Sequence, residues 1–97
     1  MDLRDFRKSL AADAPPAGLS PALEALWYAG RDDWDKAHRI VQDDPGEDAA
    51  WVHAHLHRLE GDMANADYWY RQARRTCPQG GTTEELWDIA AALLRGQ

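Results

Sequence analysis

Cysteine is all but absent from this 97-residue chain: Cys77 stands alone. No internal disulfide can form, so the fold owes nothing to an oxidising compartment. No histidine neighbours Cys77 in sequence, which argues against a catalytic thiol. Basic residues are scarce too, with 11 Lys and Arg against 17 Asp and Glu, a formal charge of -6 and a pI near 5.0. That balance opposes binding to a nucleic-acid phosphate backbone, which needs a concentrated basic face, and gives no general attraction to anionic membranes. Residues 1–10 mix Asp2, Arg4, Asp5, Arg7 and Lys8 with Leu3, Phe6 and Leu10, and lack the apolar run of a signal peptide. No stretch approaches the ~20 apolar residues of a membrane span. The expectation is a soluble, cytoplasmic protein that binds neither nucleic acid nor membrane. No phosphate-binding glycine loop, nucleophile elbow or other catalytic motif is found, so neither an enzyme nor a cofactor is expected.

Strand-like alternation is missing as well, and the pattern that is present is helical throughout. Leu3, Phe6 and Leu10 have the spacing of a short amphipathic helix. Ala14-Pro15-Pro16-Ala17-Gly18 then interrupts, making residues 1–18 an arm and proline-rich tether ahead of a helical domain over 19–97. Ser20-Pro21 is a helix start, a hydroxyl cap followed by proline where a missing N–H costs nothing. That helix runs to Ala29 or Gly30. A second begins near Asp33, carries Trp34, Ala37, Ile40 and Val41 on one face, and stops by Asp44 ahead of Pro45-Gly46. A third spans about Asp48 to Leu59 with Asp48 as its cap. A fourth spans about Met63 to Arg75, with Met63, Ala66, Trp69, Tyr70 and Ala73 on one face. Thr82 and Glu85 have capping-box spacing for a last helix over 83–95.

The segment Trp51-Val52-His53-Ala54-His55-Leu56-His57 is the sharpest chemical feature. On a strand all three histidines would face one way, but helical geometry splits them. His53, His57 and Glu60 share one arc and His55 points elsewhere. One reading is a metal site using His53, His57 and Glu60, since histidines one turn apart can bind zinc or iron. A metal wants three or four ligands, and the candidates to complete the set are Glu60, Glu24 and His38. The other reading is that these are neutral core histidines, hydrogen-bonded as buried polar groups must be. The acidic stretch Asp32, Asp33, Asp35, Asp43, Asp44, Glu47 and Asp48 reads mainly as helix caps and solubilising charge.

Asp33-Trp34-Asp35-Lys36-Ala37 and Asp62-Met63-Ala64-Asn65-Ala66 lie twenty-nine residues apart and share a pattern, as do Ala25 and Ala54. Residues 49–78 resemble the tetratricopeptide repeat through Ala54, Gly61, Ala66, Tyr70, Ala73 and Pro78, and Ala66, Trp69, Tyr70 and Ala73 also resemble the related SEL-like repeat. Residues 20–45 resemble a shortened copy, with Asp32 in place of the turn glycine. The whole chain also resembles small bacterial repeat proteins, a likeness that implies a fold and no activity. The resemblance implies an all-α fold of antiparallel helix pairs, stacked as two repeats with a C-terminal capping helix and a short N-terminal helix. It puts His53 and His57 at inward positions, which favours the core reading. It also implies a concave, partner-binding groove lined by Trp51, His55 and Arg58 on one helix and Ala22, Leu26 and Ala29 on another. The function expected is therefore a non-catalytic interaction module, an adaptor or assembly factor, taking a protein or peptide partner or a second copy of itself. The alternative occupants of the groove are the chain's own arm, Leu3-Phe6-Leu10, and its last helix.

Overall fold

The computed structural model describes residues 1–96. Among these the regular structure is six α-helices and no strand: α1 Leu3–Ser9, α2 Pro21–Gly30, α3 Trp34–Val41, α4 Glu47–Leu59, α5 Met63–Ala73 and α6 Thr82–Arg95. None of these helices is long and apolar enough to cross a membrane.

The helix starts follow from local chemistry. At α2 the Ser20 hydroxyl accepts from the Leu23 N–H at 3.3 Å, and Pro21 fills the first helical position. The Asp33 carboxylate accepts from the Lys36 N–H to open α3, and Asp62 accepts from the Asn65 N–H to open α5. The two interhelical turns are built alike. Asp32 (φ 61°) and Gly61 (φ +84°) each take the left-handed conformation. The next N–H then closes the turn, Asp33 to the Tyr28 carbonyl at 2.9 Å and Asp62 to the His57 carbonyl at 3.0 Å.

Three boundaries depart from the sequence expectation. Gly46, not Asp48, precedes α4, which leaves Asp48 inside its first turn. Helix α5 ends at Ala73, because Arg74 turns left-handed at φ 58°. The Thr82–Glu85 capping box does not form: Gly81 takes the cap position with no side-chain bond, and Glu85 turns inward. Met63, expected on an apolar face, and Leu59 flank the α4–α5 turn and stay 43% and 42% exposed.

Helices α2 and α3 pack together, as do α4 and α5, and α3 lies against α4. Helix α6 packs across α2 and α4, and α1 packs on α6. One core joins Leu23, Leu26 and Trp27 of α2 to Val41 of α3, Val52 and Leu56 of α4, and Leu86, Ile89, Ala90 and Leu93 of α6. Wholly buried Ala25, Ala37, Ala54 and Ala66 let the helices approach closely. The N-terminal arm joins this core instead of standing apart. Phe6 is wholly buried in it, the Trp27 indole donates to the Ser9 hydroxyl at 3.0 Å, and Arg31 donates to the carbonyls of Leu10 and Ala12.

Candidate metal centre

His53 and His57 stand four residues apart on α4, so helical geometry stacks them one turn above the other. Their rings stack with centroids 4.8 Å apart. The packing of α3 against α4 brings in His38, whose Nε2 lies 3.0 Å from His53 Nε2, and whose ring centroid is 5.4 Å from that of His57. One ring nitrogen from each of His38, His53 and His57 falls within 4.8 Å of the others. His53 and His57 are buried and His38 is half-buried.

Glu60 is brought to the cluster, though not among the converging nitrogens. As the C-cap of α4 it folds back, and its Oε2 lies 2.8 Å from His57 Nδ1. With Nδ1 committed to a carboxylate, His57 presents Nε2 as its free ring atom. Glu24, the remaining candidate from the sequence, is not a member of the group. Two tryptophans wall the site. Trp34 stacks on His38 at 4.7 Å and meets His57 edge-on, while Trp69 stacks on His53 at 4.0 Å. A hydrogen bond from Trp34 Nε1 to the Leu56 carbonyl, 2.6 Å, pins the first of these indoles.

Burial, reinforced by the neighbouring His57 and His38, pushes the His53 imidazole down to about 4. Burial and His57 also lower His38, against the opposing pull of Glu60 and Asp35. Both rings are therefore neutral at neutral pH and hold lone pairs, the state a metal ligand needs. The His38–His53 contact satisfies one nitrogen of each ring. His53 Nδ1 stays buried without a partner.

A second polar cluster lies on the opposite side of α4. Wholly buried His55 meets Glu85 of α6 at 2.7 Å, Arg58 Nη1 donates to the same carboxylate oxygen at 3.2 Å, and the Tyr70 hydroxyl donates to the other. Arg58 also donates to the Gly80 carbonyl. Burial by itself would raise the Glu85 carboxyl, but the bonds from His55, Tyr70 and Arg58 outweigh it and hold the group below its ordinary value. Burial and the Glu85 charge push the Tyr70 phenol up. Glu85 is thus a buried, ionised carboxylate tying α4, α5 and α6 together.

This cluster closes the expected groove. Ala22, Leu26 and Ala29 are buried in the core shared with Leu86, Ile89 and Leu93 of α6, and His55 is sealed beneath the same helix. The physical reason is that α6 presents both an apolar stripe for α2 and a carboxylate for His55. Trp51 and Arg58 alone of the six keep partial exposure, and the Arg75 guanidinium lies 3.8 Å over the Trp51 ring.

Sequence reasoning named His38 only as one of several completing candidates. What singles it out is the docking of α3 on α4, although Trp34 and His38 at a spacing of four do mark a shared face. Glu85 carried no site signal, because its spacing from Thr82 reads as a cap. No family model matches this chain, and neither does any curated protein or solved structure.

Proposed function

We propose that this protein binds one divalent transition-metal ion through His38, His53 and His57, with Glu60 orienting His57. The observation that carries this reading is the convergence of three ring nitrogens within 4.8 Å. Tetrahedral zinc with Zn–N bonds of about 2.0–2.1 Å separates its nitrogen ligands by about 3.3 Å. The 3.0 Å between the Nε2 atoms of His38 and His53 is already close to that, and small ring rotations would bring in His57. Imidazole donors suit zinc, copper, nickel or iron and not magnesium or calcium. The His57–Glu60 contact supports the reading, since metal-bound histidines regularly give their second nitrogen to a carboxylate. Ligands from α3 and α4 would make the ion a clasp between the two helix pairs.

Metal analysis and calorimetry on protein prepared without a histidine tag test this. Zinc should bind one to one and raise the melting temperature, because a ligand held at a hundred times its Kd adds about 2.7 kcal/mol. His38→Ala removes a half-buried ligand and should abolish stoichiometric binding while helical content stays unchanged. A melting temperature indifferent to both zinc and chelator, with no stoichiometric metal, ends the proposal.

A second reading keeps the repeat resemblance. The two like-built turns support a pair of tetratricopeptide-like repeats capped by α6. A protein or peptide partner would then contact Trp51 and Arg58 at the edge of α6, or displace α6 to reach Ala22, Leu26, Ala29 and His55. Normal capture of partners by both Trp51→Ala and Arg58→Ala variants removes this surface.

A further inference from the structure

We propose that the ion held by His38, His53 and His57 keeps one coordination position open, reached past His38, where water or a small anion binds and exchanges. This rests on the metal reading above. The first support is ligand count. The converging group contains three histidines and no fourth donor among the described residues. Zinc sites that serve only structure are closed by four protein ligands, whereas sites with three leave the fourth position to solvent or substrate.

The second support is the fate of Glu60, the carboxylate in direct contact with a ligand ring. Its Oε2 is spent on His57 Nδ1, and its side chain is 41% exposed on the far side of that ring. A carboxylate that orients a ligand from behind is not itself on the ion. The third support is the shape of the enclosure. Trp69 covers the His53 ring, Trp34 covers the His38 ring and meets the edge of His57, and His53 and His57 are both buried. His38 is the one ligand with substantial solvent contact, so its flank is the entrance. An indole-lined mouth suits a small ligand bound by the metal and not by the protein. Azide, cyanate and bicarbonate are of this kind, and water occupies the position in their absence.

Cobalt(II) is the probe, since it follows zinc in geometry and its visible spectrum reports ligand number. Metal-free protein titrated with cobalt should develop ligand-field bands that saturate at one equivalent. Adding azide to the cobalt form should then shift those bands saturably, with loss of bound water. Glu60→Ala should keep the azide response while weakening cobalt binding about 10–100-fold, as expected for a residue that orients a ligand.

Each failure has its own signature. If cobalt does not bind in stoichiometric amount, the metal reading itself falls. Cobalt binding with a spectrum unmoved by azide overturns the open position and leaves the metal reading standing. An azide response seen only after Glu60→Ala makes Glu60 the fourth ligand and overturns the proposal. A cobalt-dependent dimer that is inert to azide puts a second copy's side chain in that position, and overturns it equally.

Discussion

A carboxylate buried beneath three donors is costly to disturb, and Glu85 is in that position. His55, Arg58 and Tyr70 reach it from α4 and α5, and each is oriented by it. Removing one partner of a buried charged cluster leaves the rest desolvated and unpaired. Glu85→Ala should therefore lower unfolding stability by about 3–5 kcal/mol in urea titrations. A loss below about 1 kcal/mol would mean that the cluster contributes little. His53 makes a different prediction, one of pH. Its folded value near 4 lies below the ordinary 6.5, so the folded protein takes up a proton less readily than the unfolded chain. The stability it contributes is complete above 6.5 and is lost as pH falls through about 4. In metal-free protein, denaturation midpoints should decline across that window, by on the order of 3 kcal/mol at most. Glu85 acts in the same direction but lower, because its depressed carboxyl releases its contribution only below 4.5. A flat stability profile between pH 7 and 4 contradicts the His53 assignment. Of the two groups only His53 was marked in the sequence. Helical spacing put His53 and His57 on one arc, but the third ring and the partner of His55 come from other helices.

Among the helices, the turns were the readable part. Ser20-Pro21, the left-handed Gly61 and the caps Asp33 and Asp62 all rest on chemistry within a few residues, and the sequence marked the Ser20 cap and a helix start near Asp33, though not the capping roles of Asp33 and Asp62. The start of α6 was misread for the complementary reason. Thr82 and Glu85 have the right spacing for a cap, but the pull of His55, Arg58 and Tyr70 on Glu85 is tertiary and outweighs it. Among the described residues two sit left-handed without being glycine, Asp32 at 61° and Arg74 at 58°. A side chain in that region costs about 1–2 kcal/mol, less for aspartate, which bonds locally. Arg74→Gly should accordingly stabilise the protein by on the order of 0.5–1 kcal/mol, and Asp32→Gly by less, as read from melting temperatures. The reverse ranking would show that the Asp32 carboxylate gains nothing at its turn.

For the molecule as a whole, α6 decides what is inside and what is outside. It touches α1, α2 and α4 at once, so the face that a helical repeat would offer to a partner is here part of the core. Composition and periodicity specified an all-helical chain and most of the helix limits. They left open what covers the Ala22–Leu26–Ala29 face, because an apolar stripe looks the same whether it meets the chain's own helix or another protein. The net charge of -6 likewise fitted either outcome. On the other side of α4 the same packing gathers three imidazoles that are nineteen residues apart at most, one from α3 and two from α4.

The indoles of Trp34 and Trp69, in face contact with His38 and His53, make that gathering optically visible. An open-shell ion such as copper(II) seated among the imidazoles would drain their excited states. Ultraviolet emission should dim stoichiometrically on copper addition, recover with chelator, and lose most of its response in a Trp34→Phe, Trp69→Phe double variant. Equal quenching in that variant would place the copper elsewhere. The same two rings that enclose the site thus give it a built-in lamp, readable in dilute solution without any label.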